Sequence, residues 1–143
     1  MPRSREFAPL DELAAAVLVQ NDSSRHLCPD DAITGPKRSE PRLRHLINGG
    51  ERLLMSALVA FEWRRGPRSS EEIADQEALF PAAEAIPFGS AEAFLAAELY
   101  RNIKRTRGRE LDIAIAACAI AHQAQLWTLN PNDFKDIPNL KLL

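Results

Sequence analysis

Residues 110–134 read ELDIAIAACAIAHQAQLWTLNPNDF, and this stretch decides the fold. Its first half predicts a helix over residues 110–123 that is apolar on nearly every side, with Ile113, Ile115, Ala116, Ala119 and Ile120 distributed around it. A helix of that kind belongs in an interior, packed on a sheet. Gln125-Leu126-Trp127-Thr128-Leu129 then reads as a strand, and Asn130-Pro131-Asn132-Asp133 as a turn. The unit is therefore helix, strand, turn, with acidic and amide side chains at two of its ends.

Working outward, the other elements are short and follow the same alternation. Leu53-Leu54-Met55, Ala85-Ile86-Pro87-Phe88 and Leu140-Lys141-Leu142-Leu143 are apolar runs of strand length. The second of these is an edge strand, because Pro87 cannot donate to a ladder. Helices lie between them. Pro41 opens PRLRHLING, which Gly49-Gly50 stop; Ser56 caps ALVAFEWRRG; Ser69 and Glu72 have capping-box spacing for a helix through residue 78; and Ser90 is placed to cap a long helix to about residue 107. Near the N-terminus, residues 9–20 fit helical spacing, although Ala16-Val17-Leu18-Val19 also fits a strand. Helices alternating with short, unalternating apolar strands predict a three-layer α/β/α domain with a central, mostly parallel sheet.

The chain has 143 residues, enough for one domain with a real core and too few for two ordinary ones. Its hydrophobic fraction of 45% and charged fraction of 27% are those of a soluble globular protein. No apolar run approaches membrane-spanning length, no signal peptide is expected at the N-terminus, and a cytoplasmic location is expected. Cys28 and Cys118 lack the neighbours of a zinc site or redox pair and are expected to be free thiols. A net charge of −2 argues against a general basic field for nucleic acid, so any such role must come from a local site. Two local clusters exist: Lys37, Arg38, Arg42 and Arg44, and Arg101, Lys104, Arg105, Arg107 and Arg109.

The acids carry the chemistry. Asp112 stands in the first turn of an otherwise apolar helix, where it either stabilises the helix dipole or belongs to a site. Downstream, the strand delivers Asn130 at its end and Asp133 within the same turn. Glu62 interrupts the apolar ALVAFEW helix; it either pairs with Arg64 or Arg65 at the surface or faces a cation. Carboxylates brought to one point repel unless a cation lies between them, and Mg²⁺ or Mn²⁺ suits oxygen ligands. Such a metal can activate a water against a phosphodiester. His26, His45 and His122 do not stand where a ligand or base is needed.

MSALVAFEW resembles the ISAxTxAEL segment of PIN-domain proteins, with Glu62 at the place of their metal-binding glutamate. Residues 110–134 resemble the family's DALIAATALxxGAxLxTRNxxDF through Asp112, the alanine-rich helix, Thr128, Asn130, Asp133 and Phe134. The ending IPNLKLL is also similar, and the size and wording resemble VapC-type ribonuclease toxins in particular. The resemblance covers about residues 40–143 and implies RNA cleavage at a Mg²⁺ or Mn²⁺ site, a homodimer and an antitoxin partner. It implies Asp30, Glu62, Asp112 and Asp133 as catalytic acids, and the same four with Asn130 as metal ligands. The family's opening strand-plus-aspartate has no clean copy here. Asp30, in LCPDDAIT, is the leading candidate, with Asp31 and Asp22 as alternatives. Residues 1–24 are accordingly expected to be an N-terminal extension, and residues 25–143 the nuclease-like domain. A degenerate PIN module that binds RNA or a protein without cutting is the rival expectation.

Overall fold

A computed structural model describes residues 16–20 and 49–143. In chain order these form β1 (Ala16–Gln20), β2 (Arg52–Leu54), α1 (Ala57–Arg64), α2 (Ser70–Leu79), α3 (Ser90–Asn102), α4 (Glu110–Ala121) and β3 (Gln125–Thr128), with single 3-10 turns at Ala82–Glu84 and Pro131–Asp133. The predicted helix at 41–48, together with Cys28, Asp22, Asp30 and Asp31, lies outside the described residues.

Helix α4 organises the interior. Residues 113–119 are all buried, and the helix packs on α3, α1 and β3. Isoleucine is a poorer helix former than alanine by at most about 0.7 kcal/mol per residue. Burying each isoleucine returns about 1.5–3 kcal/mol, so packing overrides propensity along this helix. Around it lie Val17, Leu18, Val19, Leu54, Val59, Leu99, Leu126 and Trp127, all buried.

The sheet is ordered β2-β1-β3. Leu18 faces Leu54 on one side and Leu126 on the other, and Val17 faces Trp127. Both pairings are antiparallel, where the sequence pattern predicts a mostly parallel sheet. Parallel pairing among the described residues is confined to two isolated bridges, Ser56 with Ile86 and Leu126 with Leu142. The cause of the difference is physical. A strand buried on both faces is apolar without alternation in either sense, so its pattern says nothing about direction. The long connections here permit either sense.

Residues 16–20 resolve the ambiguity between helix and strand in favour of strand, and that strand is the middle one. Other boundaries shift for local reasons. Ser56 caps α1 by accepting from the Leu58 N–H, and Ser69 forms its capping box with Glu72. Ser90, expected as a cap, is instead the first residue of α3. The free N–H of Gly89 is satisfied by Glu92 Oε2 at 3.1 Å. That helix ends at Asn102 rather than near 107, and Arg105 and Gly108 take positive φ values of 60° and 81° in the turn that follows. The predicted strands at 85–88 and 140–143 reduce to the two bridges.

Candidate acidic metal site

Asp112 occupies the first turn of α4, half-buried, where the helix dipole favours a negative charge. Three other effects act on it. Burial raises its carboxyl above the ordinary range, the negative charges of Asp133 and Glu62 raise it further, and only Arg109 opposes. Desolvation and repulsion together outweigh the dipole and the arginine. The structure thus brings Asp112 of α4 within electrostatic reach of two other predicted acids, Glu62 from α1 and Asp133 from the turn after β3.

Each is placed by an identifiable local cause. Glu62 sits on α1 beside the inward residues Val59 and Trp63, and is half-buried. Its predicted alternative, a surface pair with Arg64 or Arg65, is not among the ion pairs of the described residues. Arg64 instead donates to Gln76 Oε1 at 2.6 Å and to Glu77 at 2.9 Å. Asp133 closes the 3-10 turn Pro131–Asp133, its N–H donating to the Asn130 carbonyl at 3.1 Å. The next residue, Phe134, and then Ile137 are both 4% exposed and anchor the turn in the core. Asn130 is exposed and leads into that turn, its N–H donating to Thr128 Oγ1.

One contributor escaped the sequence pattern. Arg109, which sequence alone assigns to a basic cluster, forms a two-pronged pair with Asp136 at 2.8 and 2.6 Å. Its Nη2 also donates to the Asp133 main-chain oxygen at 2.8 Å. The two partners are 27 residues apart, and no spacing rule joins them. His122 takes a structural role. It caps the end of α4, its Nε2 lies 3.0 Å from Glu92 Oε1, and its carbonyl accepts from Gln20. Cys118 is a buried free thiol, pushed up by burial and lowered somewhat by neighbouring Ser56.

The donor set, carboxylates with one side-chain amide, suits a hard divalent cation in kind, and the repulsion felt by Asp112 is what such a cation would relieve. Among the described residues alone, no three His, Cys, Asp or Glu groups close tightly enough to hold a metal ion. The candidates for the remaining acid, Asp30, Asp31 and Asp22, lie outside those residues. No helix among the described residues is long and apolar enough to cross a membrane.

Known proteins are similar to the chain over most of this region. Ribonuclease VapC19 of Mycobacterium tuberculosis is 35% identical over 113 residues, which span 78% of this chain and 90% of that protein. Ribonuclease VapC of Rickettsia bellii is 41% identical over 61 residues, 41% of this chain and 45% of that one. Among solved structures, VapBC2 from Rickettsia felis bound to a DNA fragment from their promoter superposes with a TM-score of 0.56. It is 27% identical and covers 76% of this chain and 85% of that chain. The PIN domain family itself matches residues 32–140, which include Glu62, Asp112, Asn130 and Asp133 on their three elements, and the chain belongs to that family.

Proposed function

We propose that this protein is an endoribonuclease of the VapC type, dependent on Mg²⁺ or Mn²⁺ and neutralised by a cognate antitoxin. The observation that carries the proposal is Asp112, whose carboxyl is raised by burial and then by the charges of Asp133 and Glu62, within the stretch that matches the PIN family. Glu62, Asp112 and Asp133 would hold the cation, with Asn130 and an N-terminal aspartate, Asp30 first among the candidates. The ion, when bound, supplies an activated water and neutralises charge on the leaving oxygen. The chain's own part is to hold these carboxylates together and to guide the RNA backbone. Lys104, Arg105 and Arg107 are exposed on the turn that leads into α4, within reach of a phosphate chain approaching Asp112. The antitoxin partner is supported by the likeness to VapBC2. A homodimer and a cytoplasmic location, where RNA and antitoxin would both be met, complete the proposal. The domain is taken as residues 25–143 together with β1.

The test is cleavage of single-stranded RNA by antitoxin-free protein with Mg²⁺ or Mn²⁺, beside Asp112→Asn. Cutting by the parent that the variant lacks supports the nuclease. A second reading, a PIN module that binds without cutting, draws on the atypical opening motif, where LCPDDAIT stands in place of a clean strand-plus-aspartate. It predicts RNA retention by the parent with no cleavage in either ion.

A further inference from the structure

We propose that Arg109 is a positioning residue for the acidic site, tying the turn that carries Asp133 to the first turn of α4 that carries Asp112, with Asp136 as the partner that aims it. This rests on the cation-site reading above, which it deepens.

The geometry has three parts. The guanidinium plane is oriented by its fork on the Asp136 carboxylate, at 2.8 and 2.6 Å. A planar, bidentate pair of this kind fixes direction as well as distance, which a lysine ammonium does not. The same Nη2 that meets Asp136 also holds the main-chain oxygen of Asp133 at 2.8 Å, and Nη1 reaches back to the Arg105 carbonyl at 3.5 Å. Arg109 itself immediately precedes α4, and its carbonyl accepts the Ile113 N–H at 2.9 Å, so the anchor end is rigid.

A clamp is needed at this point. Asp133 sits on a single 3-10 turn, and its charge is one of those that repel the Asp112 carboxylate, so the turn carries a like charge toward α4. Phe134 and Ile137 hold one side of the turn in the core, and Arg109 holds the other. Its positive charge also lies close enough to Asp112 and Asp133 to be felt by both. Among the described residues its hydrogen bonds go to Asp136 and to carbonyl oxygens, and none goes to the carboxylates of Asp112 or Asp133. The arginine therefore offsets their repulsion without occupying the oxygens a cation requires. Asp136 is half-exposed, so solvent screens the pair; its value is in placement more than in stability.

The experiment uses the full chain with Arg109→Met, Asp136→Asn and Arg109→Lys, at a temperature where all remain folded. Amide hydrogen exchange without cation should rise about tenfold across residues 133–137 in the first two variants, while residues 113–119 of α4 stay protected. Mn²⁺ affinity, read by calorimetry, should weaken about tenfold in both, as for other residues that orient ligands from behind. Arg109→Lys should recover part of the Mn²⁺ affinity through its charge, but not the protection of the turn. A parent that binds Mn²⁺ while Arg109→Met and Asp136→Asn bind it equally well overturns the positioning role alone. Unchanged exchange in the turn does the same. A parent that binds no Mn²⁺ overturns the site reading beneath it.

Discussion

Replacing Ser56 by alanine tests how the motif MSALVAFEW builds its part of the site. Ser56 is 1% exposed and its Oγ accepts from the Leu58 N–H at 3.0 Å, capping α1. The same side chain is close enough to the Cys118 thiol of α4 to lower it. Loss of a serine cap costs about 1 kcal/mol. Leaving a donor without its partner in a buried setting adds to this, so the whole loss should be about 1–3 kcal/mol. The interaction with sulfur contributes little, because sulfur is a weak acceptor. For a chain of this size a loss of about 2 kcal/mol lowers Tm by about 6 °C. Urea unfolding should show a lower midpoint with the same slope, since the surface exposed on unfolding is unchanged. Glu62 lies in the second turn of the helix that Ser56 starts, so Mn²⁺ affinity should fall several-fold with it. A Ser56→Ala protein within about 0.3 kcal/mol of the parent, at equal slope, would refute the cap as what holds α1 and Glu62 in place.

Further outcomes follow from the same structure. Because burial and its neighbours raise the Asp112 carboxyl, ionising it opposes folding: cation-free stability should fall as pH rises through that raised value, and Asp112→Asn should flatten that limb. Asp136 is held below the usual carboxylate range by Arg109, so its contribution has the opposite sign, present above that range and lost as pH falls through its lowered value. Mn²⁺ at about a hundred times its Kd should add about 2.7 kcal/mol near neutral pH and progressively less once Asp112 is protonated; equal protection at both ends of a thermal-melt series in pH would sink the carboxylate site. Single changes Lys104→Ser, Arg105→Ser and Arg107→Ser should each reduce the salt dependence of RNA binding, by up to about 0.7 in log–log slope for each phosphate no longer neutralised, and a slope unmoved by the triple change would remove this turn from the RNA path. Leu126→Ala, in a strand residue that is fully buried between β1 and the chain's last residues, should cost about 2–5 kcal/mol in urea unfolding.

Sequence alone determined the elements that local chemistry controls. The all-apolar run from Ile113 to Ile120 could only be an interior helix, because no exposed helix tolerates apolar residues around its whole circumference. Ser56 and the Ser69–Glu72 box marked two helix starts, since caps are interactions within three residues. Glu62 and Asp112 stood out as charges among apolar neighbours and Asp133 as the acid of the turn after the strand, and family wording joined them. What lay beyond the sequence is what depends on distant partners. The antiparallel sense of the sheet was hidden because doubly buried strands look the same in either direction. The place of Ala16–Gln20 at the middle of the sheet comes from pairing with Leu54 and Leu126, far along the chain. Arg109 read as one cation among five. Only the fold carries Asp136 and the Asp133 carbonyl to its guanidinium, because they come from a turn 24 to 27 residues further along the chain.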